Sequence, residues 1–263
     1  MAAGLLPGFS WGAVSDIQDA INKAGRMRML SQRMAKAYCQ SGLGIVPEKS
    51  RKILDASMQL YREHLAELKT YAPTPDVRST YEELEKVWRQ YEQVLSGNPH
   101  LANAKKIAGL SEEALSLAHL ATTQLELQAG TSVGRLINIA GRQRMLSQRL
   151  AKFYMFRQWG ISSPEMTQQA QLAQREFISA MQALSRAPEN TDKIKSELEL
   201  AKTQWLFFEQ ALLQQGGGSQ DIAFATDVAT TSERILEVMD RTTGLYSKLA
   251  AAPETGGNKL RRR

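Results

Sequence analysis

Apolar side chains recur along this chain at the three- and four-residue spacing of amphipathic helices, in long runs parted by short stretches holding Gly or Pro. Asp16 is placed to cap a first helix running to about Gln40, where Gly42 and Gly44 end it and Pro47 opens the next. The second run carries Ile53, Leu54, Met58, Tyr61, Leu65 and Leu68 on one stripe and breaks at Pro73-Thr74-Pro75. Asp76 opens a third through Tyr81, Leu84, Val87, Trp88, Tyr91 and Leu95, and Ser96-Gly97-Asn98-Pro99 stops it. A fourth, from about His100 to Gln128, holds Ile107, Leu110, Leu115, Leu117, Leu120 and Leu125.

The pattern then starts again. Ile21 to Lys36 returns as Ile137 to Lys152 at an offset of 116 residues with 13 of 16 positions identical, so the chain holds an internal duplication. The second copy's first helix ends near Gly160, Pro164 opens the next, and Pro188 breaks it. Trp205 to Leu212 mirrors Trp88 to Leu95, Gly216-Gly217-Gly218 stands as a more flexible turn, and Ser232-Glu233 answers Ser111-Glu112. Eight helices with short connections predict an all-α protein of two tandem four-helix bundles, residues 16–130 and 131–252. Only Gly130 parts the fourth helix from the fifth, which predicts a near-continuous spine with the two bundles stacked through one long shared helix. Residues 1–15 read as a signal-peptide remnant lacking its charged start, or as an apolar N-terminal arm, and residues 253–263 as a disordered basic tail.

Composition changes this picture mainly by what it excludes. The net charge of +6 comes partly from Lys259-Leu260-Arg261-Arg262-Arg263, and no basic run is interleaved with aromatics, so no nucleic acid is expected as a partner. One cysteine, Cys39, allows no intrachain disulfide and no cysteine-built zinc site, and reads as a small buried residue. No apolar stretch reaches the roughly 18 residues of a membrane span. His64, His100 and His119 are not at metal-ligand spacing and read as structural or solvent-facing, and no metal or other cofactor is expected. Met27, Met29, Met34, Met145 and Met155 read as core filler. Glu92 and Glu209 occupy matching places but read as separate structural residues, and no nucleophile–base constellation is legible, so no enzyme is expected.

The repeated stretch is where chemistry concentrates. At about 100° per residue, Ile21, Ala24, Gly25, Ser31, Gln32 and Ala35 fall on the same helix face as Arg28. Ala20, Met27, Leu30, Met34 and Tyr38 form an apolar shoulder, and Asn22, Arg26, Arg33, Lys36 and Gln40 a polar one. Arg144 sits in the matching band with Ile137, Ala140, Gly141, Ser147, Gln148 and Ala151. A guanidinium in a seam of small residues is costly without an anion or acceptor, and neither copy contains Asp or Glu. Its planar fork suits a flat anion with coplanar oxygens, and Gly25 and Gly141 would let a ligand or backbone come close. The same residues also fit a plain structural role, with Arg28 paired to a carboxylate such as Glu92 or Glu112 on a neighbouring helix.

The runs at 21–33 and 137–149 resemble the signature of PilJ-type sensor domains, and also the P-box of the nitrate- and nitrite-sensing domains of NarX-type bacterial sensor kinases. Ala-Gly-Arg-Gln-Arg-Met-Leu-Ser-Gln-Arg at 140–149 is similar to the PilJ type in particular. The resemblance implies a periplasmic, four-helix sensor module, with nitrate or nitrite held at a helix–helix dimer interface by Arg28 and Arg144 beside Gly25 and Gly141. Where NarX-type motifs carry a small polar residue after the Gly, this chain has Arg26 and Arg142, extra charge that could alter which anion fits. Two first helices would meet either in a homodimer or by the two repeats folding back; a near-continuous spine through Gly130 favours the homodimer, and a membrane receptor or kinase would be a further partner. The rival expectation is a protein-interaction module of a type IV pilus or chemotaxis system that takes no small ligand.

Overall fold

A computed structural model describes residues 13–214 and 219–251, all of whose regular structure is helical. The expectations for residues 1–12, for the glycine turn at 216–218 and for the tail from 252 lie outside the described residues. The helices are α1 (Ile17–Gly42), α2 (Pro47–Tyr71), α3 (Pro75–Leu95), α4 (Leu101–Ala129), α5 (Ser132–Gln158), α6 (Pro164–Ser185), α7 (Asp192–Leu213) and α8 (Ser219–Ala251). Local chemistry starts most of them. The Asp16 carboxylate accepts from the Gln18 and Asp19 amides, and Thr74, Thr131, Ser163 and Thr191 cap α3, α5, α6 and α7 in the same way. Pro at the first position of α2, α3 and α6 gives up a backbone N–H that no helix would have used.

The chain folds as two four-helix repeats, α1–α4 and α5–α8, but the expected spine is absent. Gly130 caps α4 in the left-handed region at φ 60°, and Thr131 is extended before α5 begins. A left-handed residue followed by an extended one reverses the chain rather than continuing the helix. The two repeats therefore lie side by side, and α1 and α5 form the most extensive helix pair in the molecule. They run parallel: Gln18 reaches the Thr131 hydroxyl at one end, and Tyr38 packs near Trp159 at the other, with ring centroids 6.3 Å apart. Helices α4 and α8 pack along this pair, and α2–α3 and α6–α7 close the outside.

The repeats share their cores as well as their motif. Tyr61 stacks on Trp88 at 4.4 Å, and Phe177 on Trp205 at 4.0 Å, at matching places. The stripe predicted for α2 is buried apart from Ile53, which is only partly so. Cys39 and the five methionines are buried as predicted. On α4 the leucines are less informative than they look. Ile107, Leu115 and Leu125 are buried as predicted, but Leu120 is 48% exposed, and Ala104, Ser111, Ala114, Ala118 and Ala121 make up much of the buried stripe, because small side chains let α4 press closely on α1.

Candidate functional site

The α1–α5 crossing is built on Gly25 and Gly141. A Cβ added to either would lie 3.9 Å from the other's Cα, so the two backbones nearly touch. The contact is reciprocal, each helix offering the other the same surface. One turn on, Arg28 and Arg144 fold back over this crossing. A Cβ on Gly25 would meet Arg28 Nη2 at 3.2 Å and Arg144 Nη2 at 3.5 Å, so both guanidinium tips converge beside one point. Both side chains are fully buried, and the Nε of each has no partner. The four residues singled out by the sequence are thus brought together, and by one chain. The homodimer was expected because separated repeats could not pair their first helices; α1 and α5 make that pairing internally.

The two arginines have matching backbone acceptors. Arg28 Nη2 donates to the Asn138 carbonyl at 3.2 Å, and Arg144 Nη2 to the Asn22 carbonyl at 3.3 Å. Their other partners differ. Arg144 Nη1 lies 2.5 Å from Asp240, whose carboxylate also takes Arg26 at 2.6 Å. Arg28 Nη1 instead meets His119 Nδ1 at 3.2 Å. Neither Glu92 nor Glu112 serves Arg28: Glu92 pairs with Arg62, and Glu112 with Arg149 and Lys152. Because a guanidinium only donates, His119 Nδ1 accepts, and the neutral ring carries its proton on Nε2.

Electrostatics follow this asymmetry. Burial, then the positive charge of Arg142 and Arg144, pushes Arg28 down to about 9. It is still a cation at neutral pH, held in an unfavourable field. Burial lowers Arg144 less, to about 10, because Asp240 works in the opposite direction. Burial and the charges of Arg28 and Arg142 push His119 down to about 4, so it is neutral at pH 7.

The remaining charges of the motif do other work. Lys36, fully buried, reaches across to α8, placing Nζ 2.6 Å from Glu233 and 3.1 Å from Ser232 Oγ, and Arg33 joins it on Glu233 at 2.5 Å. Lys152 makes the reverse reach to Glu112 at 2.5 Å and Ser111 at 3.2 Å, with Arg149 on the same carboxylate. Each repeat's motif thus grips the other repeat's Ser-Glu pair. Within each repeat, Gln32 and Gln148 donate to the Ser111 and Ser232 carbonyls at 2.9 and 3.0 Å. The polar shoulder of α1 is therefore an inward, cross-repeat surface.

The sequence reads His119 as structural or solvent-facing; it is half-buried and bonded to Arg28, a contact that its own spacing does not announce. Extending the match of Ser111-Glu112 with Ser232-Glu233 along both helices sets His119 against Asp240, the signal that could have found both. Among the described residues no group of three or more His, Cys, Asp or Glu is placed to hold a metal ion, and no helix is long and apolar enough to cross a membrane.

The buried cation pair lies at the seam between two copies of one helical repeat. The family model PilJ, described as type IV pili methyl-accepting chemotaxis transducer N-term, matches residues 13–118 and again 127–232, and the chain belongs to that family. It is a family of transducer regions and not a catalytic one. No curated protein and no solved structure matches the chain.

Proposed function

We propose that the protein is a sensor module, working in the periplasm, that takes a small planar oxyanion, nitrate or nitrite, between Arg28 and Arg144 at the Gly25–Gly141 crossing. The observation that carries this reading is the convergence of two fully buried guanidiniums on one point, each with an unpartnered Nε. Two like charges buried together are unfavourable unless something negative joins them. A bound oxyanion would replace the carbonyl acceptance of Asn22 and Asn138 with charge-assisted bonds from both forks. The ligand would thereby tie α1 to α5, and its arrival or loss would alter how the two repeats sit together. A membrane receptor or kinase would read that change. The test is the double variant Arg28→Ala/Arg144→Ala, checked for intact helicity by circular dichroism. It is expected to weaken nitrate binding about 100-fold or more, the loss of two charged donors; unaltered affinity would refute the assignment.

A second reading has its own observation. On α6 and α7, Ile178, Leu206 and Phe207 are exposed, Phe207 by 54%, beside a groove floored by Phe177 and Trp205. The matching places in the first repeat are Arg62, Arg89 and Gln90, with Arg62 and Arg89 in ion pairs. A face that is charged in one copy and apolar in the other suits an interaction module that docks a helix of a transducer or pilus protein. The family's description names a transducer region and no ligand, which fits this reading more closely. Leu206→Lys with Phe207→Lys is expected to abolish capture of such a partner while leaving nitrate affinity as it was; loss of nitrate affinity instead would tie this face to the anion site.

A further inference from the structure

The arginine site is two-fold in its backbone and its glycines, but not in the residues α4 and α8 bring to it. Resting on the oxyanion reading, we propose that the site is lopsided: the anion sits between the two Nη2 tips but leans to the Arg28 side, with His119 as a further donor, while Asp240 holds Arg144 Nη1 as a built-in carboxylate. Three observations carry this. First, Asp240 and His119 are equivalent, each following its Ser-Glu pair by seven residues on the helix that flanks the seam. Second, Asp240 bridges Arg144 and Arg26 at 2.5 and 2.6 Å, making the contacts an oxyanion would make there. Third, Arg28 receives no carboxylate. Its partners are one carbonyl and one imidazole nitrogen, and the neighbouring Asn138 Oδ1 is itself buried without a partner, because Asn138 Nδ2 donates to Glu126.

His119 now accepts from Arg28 through Nδ1; an arriving anion would take over that Arg28 donor, and the ring, with its proton shifted to Nδ1, would then donate to the anion as well. The Arg28 side therefore offers donors from Arg28 and His119 with no carboxylate in contact with Arg28, Glu126 and Glu176 acting on it only at longer range. His119 is only half-buried, unlike the arginines, so it also stands where an anion could enter from solvent. Each chain would accordingly take one anion, and the residue on α4, not the motif, would decide whether a given half is open.

The experiment is calorimetric titration of the full chain with sodium nitrate, chloride as control, in wild type, His119→Asp, His119→Asn and Asp240→Asn. The inference predicts one nitrate per wild-type chain and a loss of about 100-fold or more in His119→Asp, whose carboxylate would satisfy Arg28 internally. His119→Asn keeps a neutral donor and should stay within about tenfold of wild type, and Asp240→Asn should bind at least about tenfold more tightly by freeing Arg144. Thermal melting without nitrate is a ligand-free check: His119→Asp should melt higher than wild type, because Arg28 gains its carboxylate. Equal nitrate affinity in wild type and His119→Asp, or an unraised melting temperature in His119→Asp, would overturn the lopsided site while leaving the oxyanion reading in place. Absence of nitrate binding in folded wild type would overturn both.

Discussion

Arg28 is a cation that the fold buries without giving it a carboxylate, and that single fact shapes what each residue of the site should do when changed. Replacing it with an apolar side chain of similar length removes an unfavourable buried charge. Arg28→Met is expected to raise the unfolding free energy by about 1–2 kcal/mol in nitrate-free buffer. Arg144→Met should give no such gain, because it takes a partner from Asp240. Urea unfolding of the two variants measures the difference, and equal effects would mean the two arginines are not in different fields. Acid stability belongs to the same scale. Burial, then Arg26, holds His64 down to about 4, and His119 is held there too. Below the ordinary histidine value of about 6.5 the unfolded chain takes up protons that the folded rings refuse until about 4. Stability should therefore fall as pH drops from about 6.5 to 4, and the slope should be shallower in His119→Asn. The arginines were legible in the sequence because helical periodicity puts them on a narrow band of small residues, which is a local property. His119 and Asp240 lie 91 and 96 residues from the arginines they meet, and no local spacing connects them.

Among the elements, the α4–α5 junction decides the architecture. Helix starts are legible where caps and first-turn prolines act within a few residues, as at Asp16 and Pro164, whereas α3 starts at Pro75 under a Thr74 cap, inside the stretch that reads as a break before Asp76. The reversal at Gly130 was not, since a glycine between two helical runs serves a kinked continuous helix as well as a left-handed cap. The two cases respond oppositely to one substitution. In a continuous helix Gly130→Ala would stabilise by up to about 1 kcal/mol. In the left-handed cap, where added atoms meet nothing but the conformation is strained, it should destabilise by about 1 kcal/mol. Thermal melting of this variant checks the sign. The stripe on α4 is legible only in part for a related reason: Ile107, Leu115 and Leu125 are buried, but where helices press closely alanine and serine fill the rest of the buried face, and Leu110, Leu117 and Leu120 move to its rim.

At the scale of the whole molecule, the duplicated motif works as a reciprocal clamp. Lys36 and Arg33 hold Glu233, while Lys152 and Arg149 hold Glu112, so each repeat is fastened by the other. Burial opposes ionisation of Glu233, but Lys36 and Arg33 outweigh it and hold the carboxyl down to about 2. The stabilisation is thus present above the ordinary carboxylate value of about 4.5 and is lost as pH falls through about 2. Glu233→Gln leaves Lys36 buried without its counter-charge and should cost about 3–5 kcal/mol, read by urea unfolding. A cost below about 1 kcal/mol would show that the repeats are held by packing alone. The two-repeat, all-α plan was legible from the duplication itself. The side-by-side arrangement was not, because it rests on ion pairs between residues about 40 and 200 positions apart.

The central claim, that two copies of one motif in a single chain make one oxyanion site, is tested most directly by titrating the purified protein with nitrate while its mass in solution is followed by light scattering. One nitrate bound per monomeric chain, with no response to chloride, is the predicted result. No binding by protein shown to be folded, or binding only as the chain dimerises, would contradict it.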